Sequence, residues 1–224
     1  MSAAAESMPR ETRRRARLPA SGSAALVVVI LLWLAALVSP IFARRAAEIR
    51  LEERLAAPSA THPFGTDDLG RDLFARVMVA TPVSLGIAEG AHEHASGEIL
   101  AKGLRSDGRT RMLAAENIVE LAACRATLGR VGALVDDHFA SGSAGDAALL
   151  FAEAQAAKTF VGEAAVRVVD RALALSGGAG YLNGSPLARA YRDVRATAFM
   201  HPLGANRAYD YLGELALGGR PSLN

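Results

Sequence analysis

The sequence predicts an all-α chain in which one membrane-spanning helix precedes an antiparallel helical bundle. Three observations predict it. Residues 24–43 carry no charge, apolar residues from residue 109 onward recur in steps of three and four, and the runs are separated by Gly, Ser and Pro. No stretch gives a strand signal.

The overall composition, 51% apolar and 21% charged, hides two unlike halves. The first is built for a lipid solvent, whereas the stretch from Glu89 to Asn224 mixes charge with alanine as a soluble helical protein does. Of the 25 Lys and Arg residues only Lys102 and Lys158 are lysines, the net charge is +2, and few aromatics lie near the arginines. That pattern offers no stacking platform or basic stripe for nucleic acid. Cys124 is the single cysteine, which excludes an intrachain disulfide, and its apolar helical surroundings fit a small buried hydrophobe.

The membrane element is Ala24–Ala43, behind a basic tail of residues 1–23. Twelve of its twenty residues are Leu, Ile, Val or Phe, and at roughly 0.3–0.6 kcal/mol each they favour insertion by about 4–7 kcal/mol. The length matches one bilayer at about 1.5 Å per residue. These features predict a single-pass protein of the bacterial inner membrane, in contact with lipid. The alternative is a cleaved signal peptide, with Arg13–Arg15 and Arg17 as its basic region and Ala43 near its cleavage site. Arginines flank both ends, so the orientation stays open.

Residues 44–88 read as an extramembrane segment leading into a second, shortened apolar run. They contain the string His62-Pro63-Phe64-Gly65-Thr66-Asp67-Asp68-Leu69-Gly70-Arg71-Asp72-Leu73-Phe74-Ala75-Arg76. Together with the preceding span, this string resembles the start of the permease subunits of dipeptide and oligopeptide ABC importers, over roughly residues 20–88. The resemblance implies a second span from about Val77, but the apolar run ends at Ala88 after about 12 residues, too few to cross a bilayer.

From Glu89 to about residue 108 the chain reads as a polar, glycine-broken junction. His92 and His94 stand there without clustered ligands, so no metal site is predicted. The bundle then occupies 109–218, with a tail at 219–224. Arg109–Phe139 is expected as a helix burying Met112, Ile118, Val119, Ala122, Ala126 and Leu134. Asp146 is expected to cap a second helix, whose seam is Leu150, Ala154, Ala157, Val161, Ala164, Val168, Ala172 and Leu175. Ser176-Gly177-Gly178-Ala179-Gly180 stops it. Ser185-Pro186 opens a short helix to about Ala198, and Ala205–Leu217 forms the last.

In this half, Ala156-Ala157-Lys158-Thr159-Phe160 to Asp170-Arg171-Ala172, Leu175 to Leu182, and Leu187 to Arg195 with its Tyr191-Arg192-Asp193 resemble the C-terminal bundle of the acyl-CoA dehydrogenase superfamily, over roughly residues 100–218. The resemblance implies FAD as cofactor, with Ser176, Gly177, Gly178, Ala179 and Gly180 as contact residues, because glycines let backbone approach a large ligand closely. It implies a homo-oligomer, or assembly with full-length subunits of that family. Many members carry a catalytic glutamate shortly after the Arg-Asp string, where this chain has His201, a side chain able to act as a base near neutral pH. The family's N-terminal helical and central β-domains have no counterpart here.

The functional expectation is therefore a membrane-anchored, acyl-CoA dehydrogenase-like flavoprotein fragment, inactive alone, whose family oxidises CH–CH groups of acyl thioesters. The alternatives are a component of an ABC-type peptide importer joined to a permease partner, and a fusion product with no joint function.

Overall fold

The computed structural model describes residues 44–141, 147–200 and 203–221. The chain divides into two units, and the described residues all belong to the second, Ile41–Asn224. The expected membrane span at 24–43, the Asp146 cap and His201 lie outside the described residues. Among the described residues the fold is helical, with one isolated antiparallel bridge, between Thr66 and Asp72.

The permease-like string folds as a tight knot that starts the first helix. Arg50 N donates to Leu69 O at 3.1 Å, Leu55 N to Asp67 O at 3.1 Å and Thr66 N to Ala56 O at 3.1 Å, which lays residues 50–56 along 66–69. Close approach explains both glycines. Gly65 and Gly70 have φ of +72°, and a Cβ at Gly70 would lie 1.7 Å from Arg50 O. Asp67 organises the turn, its carboxylate accepting from Leu69 N and Arg71 N at 2.9 Å and from Arg71 Nε at 2.7 Å. Burial pushes the Asp67 carboxyl up, but the backbone N–H groups and the guanidinium outweigh it and hold the acid below the usual carboxylate range. Asp72 then caps the helix by accepting from Ala75 N at 3.0 Å, and its other oxygen lies 3.1 Å from His62 Nδ1.

Helix α1 runs Leu73–Ala101 without a break. This corrects the expected junction, because residues 89–101 continue the helix that begins in the permease-like segment. The reason is register. Val77, Ala80, Thr81, Ser84, Leu85, Ala88, Ala91, Ala95 and Ile99 are all buried along one face, so packing carries the helix through Gly86, Gly90 and Gly97. His92 and His94 are accordingly helical residues. The shortened second run is thus part of a 29-residue helix that is long and apolar enough to cross a membrane, yet half of its most apolar window is buried within the protein.

A 3-10 turn at Leu104–Ser106 leads to α2, Gly108–Ser141. Here the sequence expectation chose the wrong face. Met112, Ile118 and Val119 are exposed, as are Ala122 and Ala126, Leu134 is partly buried, and the buried row is Asn117, Leu121, Cys124, Val131 and Val135. Asn117 occupies a core position because its Nδ2 donates to Val168 O at 3.3 Å, a polar residue that an apolar pattern passes over.

Helix α3, Ala147–Ser176, forms the centre, and every residue of its expected seam is buried. It packs most extensively against α1 and then α2. Glu120 of α2 accepts from Arg167 and Arg171 of α3, both at 2.7 Å. Ser185 caps α4, Pro186–Arg195, with Pro186 in its first turn; a 3-10 turn at Ala196–Phe199 extends it, and α5 is Ala205–Ala216. A second core cluster joins the knot to the bundle. Phe64, 1% exposed, meets Phe74 and Phe151 edge-on at 5.2 Å, with Leu203, Ala208 and Tyr211 in the same cluster.

Two outcomes follow for the full chain in detergent. Gly97→Ala meets nothing within 4 Å, so it should raise unfolding stability by about 0.5–1 kcal/mol, as expected inside a helix; no gain, or a loss, in urea unfolding would place Gly97 in a turn. Asp67→Asn should cost about 1–2 kcal/mol near neutrality by removing a charge-assisted contact. Because the folded acid is depressed, that contribution is present above the unfolded value of about 3.9 and is lost as pH falls through the folded value. The two proteins should therefore converge in acid.

Candidate functional site

The loop that ends α3 is built by two different kinds of glycine. Gly177 takes φ +76° to end the helix, and its N donates to Leu173 O at 3.0 Å. Gly177 and Gly178 are exposed, and a Cβ on either would meet nothing within 4 Å. Gly180 is buried, and a Cβ there would lie 2.7 Å from Ser176 Oγ and 3.2 Å from Leu187. The outer glycines thus leave backbone open to an approaching group, and the inner one serves internal packing.

Ser176 is committed to holding the loop down. Its hydroxyl donates to Glu98 Oε2 at 2.7 Å, and its carbonyl accepts from Lys102 Nζ at 3.4 Å. Lys102 also donates to Glu98 at 3.3 Å. The Ser176 hydroxyl, with Lys102, holds the Glu98 carboxyl below its ordinary range. Ala179 is exposed, so Gly177, Gly178 and Ala179 form the accessible edge, with Ser176 and Gly180 beneath it.

Beyond the loop, Tyr181 and Leu182 are 72% and 66% exposed. Tyr181 meets Tyr191 edge-on at 6.5 Å, and the Arg195 guanidinium lies 4.4 Å from the Tyr191 ring centre. Arg192 and Asp193 face solvent, Asp193 pairing with Arg189 at 3.4 Å. A groove of about 570 Å³ lies between α1 and the next turn, with Gly86, Gly90 and His94 on one side and Asn183, Ser185 and Arg189 on the other. The accessible loop edge has the form a flavin would need, open backbone and no side chain in the way.

At the other end of α3 the structure reveals buried polar groups that sequence reasoning missed. Lys158, 3% exposed, donates to Met200 O at 2.5 Å and Leu203 O at 2.6 Å. Ser84 and Thr197, both buried, share a hydrogen bond of 2.6 Å. Among the described residues, the fully buried Gln155 has no hydrogen-bond partner for its side-chain amide. The one legible signal was a lysine set between Ala157 and Val161 in an otherwise small-residue seam. Cys124 is buried as expected, and burial pushes its thiol up, away from reactivity. Among the described residues no group of acidic, His and Cys side chains is arranged to hold a metal.

Comparisons with known proteins divide along the same lines as the sequence. The amino sugar nitrososynthase DnmZ of Streptomyces peucetius is 40% identical over 140 residues, covering 61% of this chain and 34% of that protein. The nickel transport system permease protein NikC of Escherichia coli strain K12 is 49% identical over 63 residues, 28% of this chain and 23% of that protein. Among solved structures, KijD3 in complex with FMN and dTDP-3-amino-2,3,6-trideoxy-4-keto-3-methyl-D-glucose superposes with a TM-score of 0.66 at 30% identity, covering 76% of this chain and 41% of that one. The chain thus spans well under half of each of these relatives. Two unrelated resemblances meet in it, as in a chimera. Residues 78–202 match the acyl-CoA dehydrogenase C-terminal domain, a match that begins before Ala88 and so takes in both sides of the join within α1. More than half of the 224 residues lie in that match, and the chain belongs to the acyl-CoA dehydrogenase family through its C-terminal domain.

Proposed function

We propose that this chain is the C-terminal-domain part of a flavin-dependent oxidoreductase, which lends its glycine-loop edge to a flavin held mainly by domains outside this chain. The observation that carries the reading is the open backbone at Gly177, Gly178 and Ala179, set on a base stitched by Ser176, Glu98 and Lys102. The FMN-containing relative supports a flavin as the ligand, and FAD is the flavin that the family resemblance implies. A bound flavin would supply two-electron redox chemistry. The residues of this chain would place its backbone-facing edge and exclude water there.

The proposed division of labour keeps the chain inactive alone. Its partners are a second copy or full-length subunits of the family, whose domains would cover the exposed Tyr181 and Leu182. His201 is proposed as the residue at the family's base position. The nitrososynthase relatives favour an amine or amino sugar over an acyl thioester as the class of substrate, and that class makes no demand for α-proton removal by His201. Residues 1–23 are proposed as a basic tail, 24–43 as a single-pass inner-membrane anchor in lipid, 44–88 as the permease-derived segment and 109–218 as the bundle proper. A role within an ABC importer, beside a permease partner, is disfavoured by the burial of Val77, Ser84, Leu85 and Ala88 in the bundle. A fusion without joint function is the remaining outcome of the test below.

Purified alone in detergent, the chain should be colourless. Co-expressed with a full-length nitrososynthase subunit, it should co-purify and carry the visible absorbance of a flavin. Gly178→Val should leave folding intact while lowering flavin retention about tenfold, the effect of about 1.4 kcal/mol at a crowded contact. Failure to co-purify, or flavin retention indifferent to Gly178→Val, contradicts the reading. Deleting residues 24–43 should move the chain from carbonate-washed membranes to the soluble fraction; retention in the membrane would assign anchoring to another segment.

A further inference from the structure

Helix α2 uses only one of its faces inside the protein. Asn117, Leu121, Cys124, Val131 and Val135 are turned into the bundle, while Met112, Ile118 and Val119 are each more than half exposed. The exposed face is ordered. Met112, Ala115, Val119, Ala122, Ala126 and Gly129 are all exposed and recur in alternating steps of three and four, the spacing that lays a seam along a helix for a second helix. At roughly 1.5 Å per residue the seam is about 25 Å long. Its small residues let a partner backbone come close, and Met112 and Val119 supply apolar area. Charge runs beside it. Arg109, Glu116, Ala123, Arg130 and Asp137 stand at every seventh residue and so form one row along the flank of the seam. Their signs, plus, minus, none, plus and minus, reverse about Ala123.

We propose that the exposed face of α2 is a self-association surface, on which α2 of a second copy of this chain packs antiparallel about a two-fold axis near Ala123. The sign reversal is the argument for a copy over any other occupant. Turned end for end, the row meets itself with Glu116 opposite Arg130 and Arg109 opposite Asp137 on both sides of the axis, so each charge faces its opposite. A partner of unrelated sequence asks for no such symmetry. The same alignment sets Ala122 against Ala126 of the second copy and Val119 against Gly129, which fits a larger residue to a smaller one. Arg125 lies near the axis and would meet its own copy, but Glu89 of α1 already pairs with it at 2.6 Å. Glu116 and Arg130 pair within the chain, with Arg171 at 2.7 Å and Glu153 at 3.2 Å, and their side chains stay exposed to a partner. The pairing deepens the proposal that a second copy is a partner of this chain. It rests on that part of the reading alone, since no flavin enters it.

Sedimentation of the full chain in detergent should give the mass of a dimer. Val119→Glu, at an exposed position, should weaken the dimer at least about tenfold by placing charge in the seam. Arg130→Glu sets like charges against Glu116 of the second copy and should also weaken it about tenfold; adding Glu116→Arg should restore it, because the reversed row is again complementary to itself. Should Val119→Glu not fold, this reversal and its rescue decide. Ala122→Cys mixed with Ala126→Cys should form a disulfide-linked heterodimer on mild oxidation faster than either variant alone. Tyr181→Ser, on the exposed loop, should leave the mass unchanged. A monomeric wild type, a dimer indifferent to Val119→Glu, a double variant no stronger than Arg130→Glu, or cross-linking no faster in the mixture overturns the pairing. A dimer lost in Tyr181→Ser but kept in Val119→Glu removes α2 as the surface and leaves a second copy as the partner, so the two failures are told apart.

Discussion

The alanine seam between α1 and α3 is the contact on which the rest of the structure depends. Ala88, Ala91 and Ala95 are at most 3% exposed and share a core cluster with Val161, Ala164, Ala165, Val168 and Val169. Short side chains on both helices let the backbones approach, and close approach gives many dispersion contacts without a large side chain. Because the seam has one register, it specifies α1 as one helix across the join of two unlike sequences. Three glycines and a proline at position 82 would each weaken an isolated helix. Packing outweighs them, and Pro82 sits on an exposed position where it crowds nothing in the core.

The knot at 50–72 gives that helix its starting point. Asp72 caps it, His62 lies against Asp72, and Phe64 reaches past the cap into the second core cluster. A string whose resemblance is to a transport protein thus acts here as a local device of structure. Asp67 and Asp72 are engaged by backbone N–H groups, Arg71 by the Asp67 carboxylate, and Gly65 and Gly70 by close approaches of the backbone. The match to the acyl-CoA dehydrogenase C-terminal domain starts within the same helix, at residue 78, so the helix serves the bundle whatever the origin of its first turns.

Much of this was legible in the sequence, and the failures have physical causes. The seam of α3 was readable because Leu150 to Leu175 repeats at helical spacing with no competing residues, and Ser185-Pro186 announced α4 as a cap followed by a preorganised turn. The face of α2 was misread because its row of Met112, Ile118 and Val119 is more apolar than its buried row, where Asn117 and Cys124 interrupt the pattern. The junction was misread because Gly90, His92, His94 and Gly97 argue locally for a turn, while the burial that overrides them lies on α3, about 70 residues on. The glycine loop was found, but not its division between open and packed glycines, which depends on Ser176 and Leu187 folding over Gly180. Lys158 gave no sign of its partners, since a main-chain carbonyl leaves no mark in sequence.

The glycine loop after α3 keeps its place only if α1 stands as one helix. Glu98 and Lys102, which hold the loop, lie at its C-terminal end, whereas Asp72, which starts it, lies in the permease-like segment. The most direct test is native-state hydrogen exchange along Leu73–Ala101 in the full chain. A single helix predicts continuous protection through Ala88 and Glu89, with the buried positions from Ser84 to Ile99 opening together with α3. Protection that ends near Ala88, with residues 73–88 and 89–101 opening at separate free energies, would contradict it.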